Sequence, residues 1–118
     1  HTVGHALEQL SDYTLRHGEA VSIGMVAAAR IAAQLGRADP SLPARIAAAL
    51  NAWDLPVRCP AYEVDEIWRA MAHDKKRQGC ALRWVLPRAI GRVEITRNVP
   101  SEVVRSILRD MGAEEKEA

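Results

Sequence analysis

Phenylalanine is missing from this sequence, and three tryptophans with two tyrosines are its whole aromatic complement. With aromatics at 4% of 118 residues, the stacking platforms that single-stranded nucleic acid needs are excluded. An excess of one charge is lacking too. Sixteen Lys and Arg against 15 Asp and Glu leave a formal +1, which gives no electrostatic reason to bind nucleic acid or a membrane surface. The two cysteines, Cys59 and Cys80, match no metal-ligand spacing and make no disulfide framework, so a reduced, cytoplasmic setting is expected. The longest apolar stretch, "AVSIGMVAAARIAAQLG", is broken by Arg30 and Gln34 and reads as a buried helix, not a membrane span. No glycine-rich phosphate loop is present, so no dinucleotide cofactor is expected to be held by this segment alone. A start methionine and a signal peptide are also missing, and the first residue already falls in a patterned segment, as expected of a piece of a longer protein.

What is present is helical periodicity. Val3, Ala6, Leu7 and Leu10 recur at three- and four-residue steps, predicting a helix over 1–10, and "SDYT" reads as the loop that follows. A long helix is predicted over 18–35, with Val21, Met25, Ala28, Ala32 and Leu35 on one face and Gly36 stopping it. Gly24 costs that helix about 1 kcal/mol relative to alanine, and close approach of a neighbouring backbone would offset the cost. Ser41 is expected to cap a third helix marked by Ile46, Leu50 and Trp53, and Pro56 and Pro60 bracket a linker. A fourth helix is predicted over 64–74, with Ile67, Trp68 and Met71 inward. "LRWVL" and "RVEIT" then read as a small hairpin whose loop, "PRAIG", is longer than the tightest turn. Ser101 is expected to cap a last helix carrying Val103, Val104, Ile107 and Leu108 and ending at Gly112, with 113–118 a frayed tail. The fold class is therefore mainly α: a bundle of about five helices in one domain, with one small β-hairpin near the C-terminal end.

Three of the four histidines lie in the first 17 residues. His1 and His5 are four apart, so on a helix both project from one face and can converge on one ion or one substrate. His17 stands at a loop-to-helix junction from which it can complete that set; the bland alternative makes His17 a polar helix-boundary residue and His5 a half-buried structural one. Glu19 is near enough to join a metal site but suits a first-turn carboxylate better. Lys75, Lys76 and Arg77 form a compact cationic group suited to phosphate or carboxylate. Taken alone, they are more simply a complement to a helix C-terminus. His73 has no spaced partner, and packing accounts for both cysteines.

In order and at matching intervals, "HTVGHALE", "LRHGEAVSIGM" and "DKKRQGCALRWVLPRAIGRV" resemble the C-terminal domain of 3-dehydroquinate synthase and its sugar-phosphate cyclase relatives. The resemblance implies a lyase of the shikimate route to aromatic amino acids, taking DAHP to 3-dehydroquinate and phosphate. It implies His1 and His17 as metal ligands, His5 as a catalytic residue facing substrate, and Lys76, or Lys75 beside it, as the substrate-binding lysine. Arg77 and Glu19 are not carried over, and Gly79 comes one residue earlier after DKK than the family pattern leads one to expect. NAD and a divalent metal, zinc or cobalt, are the implied cofactors. In that family an NAD-binding α/β domain and a glutamate ligand precede this region, so this C-terminal domain alone is expected to be inactive. The parent is expected to be a homodimer. Alternatives are a cyclase making an inosose or valiolone skeleton, and a non-catalytic helical interaction domain.

Overall fold

The computed structural model describes residues 2–78 and 83–114, with the side chains of 74–78 outside that description. Five helices and one hairpin follow in the expected order: α1 (Thr2–Leu10), α2 (His17–Gln34), α3 (Leu42–Ala52), α4 (Val64–Gln78), β1 (Trp84–Ala89), β2 (Arg92–Thr96) and α5 (Ser101–Met111). The long α2 lies at the centre, with α1, α3, α5 and β1 packed around it, while α1 is held on its other side by α4.

The three- and four-residue spacing of α1 does what it predicts: Val3, Ala6 and Leu7 are buried and Leu10 packs against the same core. On α2 the expected face holds in part: Ala32 is fully buried and Ala28 and Leu35 pack against the core, but the face does not carry the deepest residues. Met25 is 46% exposed and Val21 and Ala28 are half-buried, whereas Ile23, Val26, Ala27 and Ile31 are fully enclosed. A helix surrounded by four elements has no single inward stripe, and its small residues are what allow neighbours on several sides. Gly24 shows this directly: a Cβ built on it would meet the Gly4 backbone nitrogen at 3.4 Å, so α1 and α2 cross with their backbones in near contact. Gly36 and Gly112 end α2 and α5 with φ of +73° and +125°, values that L side chains rarely adopt.

Further along, α4 runs four residues beyond its expected end, to Gln78, and buries Ile67 and Met71 with Trp68 partly covered. Trp53 does not anchor α3. It stands just past the last helical residue, 81% exposed, and Leu42, Ile46 and Leu50 make the contact instead. Ser41 precedes α3 as expected, but its hydroxyl donates to Asp39 Oδ1 at 2.6 Å and caps nothing. The Ser41 bonds hold the Asp39 carboxyl below its ordinary range. Ser101 is the first residue of α5, not its cap; Pro100 occupies that position. Ser22, enclosed within α2, donates to the Pro56 carbonyl at 2.6 Å and fixes the linker.

Strand β1 continues through Pro87 to Ala89, so the hairpin loop is shorter than expected: Ala89 pairs with Arg92 across Ile90 and Gly91, and one residue is bulged between Pro87 and Ala89. Trp84 and Leu86 point into the core, while Val85 and Ile95, a cross-strand pair, are exposed on the other face. Arg37, just after α2, and Arg88 both bond Glu94, at 2.7 and 3.0 Å, and tie the hairpin to the end of α2. Arg105 bonds Asp65 and lies over the Trp68 ring, joining α5 to α4. Ala113 and Glu114, expected to fray, are built in: Ala113 is buried, and Glu114 forms a parallel bridge with Glu63. Residues 115–118 lie outside the description.

Candidate functional site

The site is made by the return of the chain from α1 to α2. Ser11 fastens the end of α1, its hydroxyl donating to the Glu8 carbonyl at 2.9 Å and accepting from the Leu15 amide at 3.1 Å. Asp12 and Tyr13 both take left-handed backbone angles, φ +53° and +61°. That conformation costs a non-glycine residue about 1–2 kcal/mol, and it turns the chain back sharply enough for α2 to start beside the helix it has just left. At the start of α2, Glu19 accepts a hydrogen bond from the Arg16 amide at 3.0 Å. It is thus a helix-start carboxylate, satisfying a donor that the helix leaves orphaned.

This turn brings His17 over α1. Its ring centroid lies 6.3 Å from that of His5, with the planes tilted by 37°. His17 Nδ1 meets Glu8 Oε1 at 2.7 Å, and the two side chains differ in exposure, 58% for His17 and 13% for Glu8. A carboxylate that is largely covered and aimed at Nδ1 can accept a proton carried on that nitrogen, the tautomer in which Nε2 keeps its lone pair. Histidines that bind metals are commonly held in this way. Zinc and cobalt accept imidazole nitrogen, so the residues present fit one side of such a centre. Among the described residues no three histidine, cysteine or acidic side chains are grouped closely enough to hold an ion by themselves.

Of the other expected site residues, His1 lies outside the described residues, immediately before α1 in the sequence. Lys75 and Lys76 fall in the last turn of α4. The Thr2 hydroxyl donates to the Arg83 carbonyl at 3.2 Å, pinning the first residue of α1 beside the chain that enters β1. His73 is exposed and Cys59 is buried, while Cys80 is outside the described residues.

A family model described as 3-dehydroquinate synthase C-terminal matches residues 1–77. The chain belongs to the 3-dehydroquinate synthase C-terminal family. The members of that family to which it is similar include the 3-dehydroquinate synthase of Nostoc punctiforme, 42% identical over 113 residues, which are 94% of this chain and 31% of that protein. The 3-dehydroquinate synthase of a Synechocystis strain is 44% identical over 110 residues, 92% of this chain and 30% of its own length. The chain thus spans about a third of these relatives. Among solved structures it resembles a Streptomyces hygroscopicus 2-epi-5-epi-valiolone synthase with NAD+ and Zn2+ bound, at TM-score 0.79, 25% identity, and coverage of 92% of this chain and 31% of that one. A 2-deoxy-scyllo-inosose synthase complexed with carbaglucose-6-phosphate, NAD+ and Co2+ shares the fold at TM-score 0.74 and 24% identity, over 94% of this chain and 32% of that one.

Within this family domain the sequence missed Glu8 as a site residue. Its signal was present in the spacing, since Glu8 follows His5 by three and so shares its side of α1, but a charged residue on an amphipathic helix ordinarily faces solvent. Only the left-handed turn at 12–13 supplies the histidine that it holds.

Proposed function

We propose that this chain is the metal- and substrate-binding part of a cytoplasmic 3-dehydroquinate synthase, completed by an NAD-binding domain that precedes it in the parent protein. The observation that carries the proposal is 42% identity to such an enzyme over 94% of the chain, with His5, His17 and Glu8 gathered at one helix corner. His17 Nε2, together with His1, would bind the metal, and a third ligand comes from outside this chain. Bound there, a divalent metal would supply Lewis-acid polarisation of substrate hydroxyls, and NAD held by the preceding domain would supply the hydride chemistry.

The chain's own residues do the rest. His5, half-buried one turn along α1, holds a substrate hydroxyl and takes or returns its proton at a ring nitrogen, work suited to an imidazole near neutrality. Lys76, or Lys75 beside it, gives the anionic sugar-acid phosphate a fixed counter-charge. Glu19, engaged at the start of α2, stays outside the chemistry.

The test is a chimera in which this chain replaces the corresponding third of the Nostoc punctiforme enzyme. It is expected to release phosphate from DAHP with NAD and zinc present, to lose that activity with His17→Ala, and to have a counterpart in the isolated 118 residues that is inactive. A folded, NAD-binding chimera without turnover refutes the proposal, and turnover by the isolated chain refutes its dependence on a preceding domain. The structural likeness to 2-epi-5-epi-valiolone synthase supports a second reading, a cyclase of that kind. Profiling the chimera with other sugar phosphates separates the two, and the higher identity to the dehydroquinate enzymes favours the first.

A further inference from the structure

We propose that Glu8 is the positioning residue of the metal site, fixing the imidazole of His17 in the tautomer that turns Nε2 toward the ion. This rests on the reading of His17 as a metal ligand given above. Three observations support it. The Glu8 Oε1 to His17 Nδ1 contact is 2.7 Å, short for an N–H···O bond and in the range of charge-assisted ones. Glu8 is only 13% exposed while its partner is 58% exposed, so the carboxylate belongs to the scaffold and the imidazole to the surface it serves. The elements bearing the pair are themselves locked: α1 and α2 approach through Gly4 and Gly24, and Leu7, beside Glu8 in sequence, is wholly buried.

An exposed imidazole on the first turn of a helix has several rotamers and two neutral tautomers open to it. The tautomer with the proton on Nε2 is the one an isolated histidine side chain prefers, and it presents the wrong nitrogen. A carboxylate at Nδ1 reverses that preference and removes ring rotation as a further loss on binding. Glu8 touches neither metal nor substrate; it acts through His17.

Two readouts test this. In 15N-labelled chain without metal, at a pH where the imidazole is neutral, long-range 1H–15N correlation is expected to show His17 protonated at Nδ1. In Glu8→Ala, which removes the carboxylate that accepts from Nδ1, the proton is expected to move to Nε2. An unchanged tautomer in this variant, with wild-type helical circular dichroism, overturns the proposal; Glu8→Gln keeps the packing and replaces the charged acceptor with an amide. Zinc affinity, read by competition with a chromophoric chelator, is expected to fall about 10-fold in Glu8→Gln, in line with the loss of an orienting partner. Equal affinities of wild type and Glu8→Gln, with His17→Ala weakened, overturn it as well. If His17→Ala instead binds zinc as tightly as wild type, His17 is no ligand; the metal reading fails, and with it the role of Glu8 toward the ion. The tautomer result is read independently of that outcome.

Discussion

Adding one methyl group at Gly4 should destabilise the domain, although alanine is the better helix former. A Cβ built on Gly4 would stand 3.0 Å from the Ala20 carbonyl oxygen and 3.2 Å from its carbon, both of them backbone atoms of α2. No side chain can swing aside, so α1 or α2 must move by a few tenths of an ångström. The move is resisted from the other side, where Val3, Ala6 and Leu7 are buried and α4 packs on α1. Overpacking of this kind costs about 1–3 kcal/mol, and the gain in helix propensity returns at most about 1 kcal/mol. The expected result for Gly4→Ala is a net loss of about 1 kcal/mol, within a range of roughly 0–2.

Gly24, its partner across the crossing, gives the control. A Cβ there would meet the Gly4 nitrogen at 3.4 Å and its Cα at 3.8 Å, distances at the edge of ordinary contact. In mid-helix it should gain close to the full propensity of about 1 kcal/mol. Gly18, with nothing within 4 Å, should be neutral to slightly stabilising. Thermal unfolding followed by circular dichroism compares the three variants with wild type. At roughly 4 °C per kcal/mol for a domain of this size, Gly4→Ala should melt well below Gly24→Ala, by on the order of 8 °C. A Gly4→Ala protein that melts at or above Gly24→Ala would falsify the close-crossing account. Because the same displacement acts on the Glu8–His17 contact, Gly4→Ala should also weaken zinc binding, whereas Gly18→Ala should not.

How much of this was legible in the sequence depends on how many neighbours each element has. Helix α1 and helix α5 each read correctly, since Val3, Ala6 and Leu7, or Val104, Ile107 and Leu108, form one stripe pressed on one core. Helix α2 did so only in part, because enclosure on four sides erases the stripe, and a pattern search then selects Met25 and Val21 as readily as Ile23 and Val26. The small residues carried the real information. Gly24 marked the close crossing in advance, and Gly4 proves to be the other half of it. Trp53 misled for the opposite reason: α3 packs on α2, its contact ends with Leu50, and a tryptophan just past the helix has nothing left to cover.

The candidate site divides in the same way. Spacing gave His5 its side of α1, and the junction before α2 gave His17 its freedom to approach; the structure brings the two rings to 6.3 Å. The partner that orients His17 is set by a tertiary turn, with Asp12 and Tyr13 in a conformation that their residue types do not advertise. Tyr13 is the harder case, since Asp visits the left-handed region with some ease and a tyrosine does not. Nothing in the local sequence requires Glu8 to turn away from water. The fold does, by placing a second helix over it.

Two further outcomes follow from groups outside the site. The Arg37 and Arg88 guanidinium groups hold the Glu94 carboxyl below its ordinary range in the folded chain, so Glu94 favours folding above that range and loses this contribution as pH falls through its folded-state value. Urea unfolding of wild type and Glu94→Gln should therefore differ at pH 7 and converge toward pH 3; a gap that stays constant across that interval would exclude the ion-paired hairpin as its source. Cys59 gives the sharper case, because burial pushes its thiol up to about 11 and leaves it 5% exposed. At pH 8 only about one part in a thousand is thiolate, against about a quarter for an ordinary cysteine near 8.5, and the reagent must also reach a sulfur behind the segment that Cys59 shares with Met111, whose carbonyl accepts the Cys59 amide at 2.9 Å. In a Cys80→Ser background, labelling by a disulfide reagent should be slow in the native state and should speed up with urea in step with unfolding. Native-state labelling at the rate of a small free thiol would show that the α5 end opens without the rest, and that Gly112–Glu114 is not fastened as the bridge to Glu63 implies.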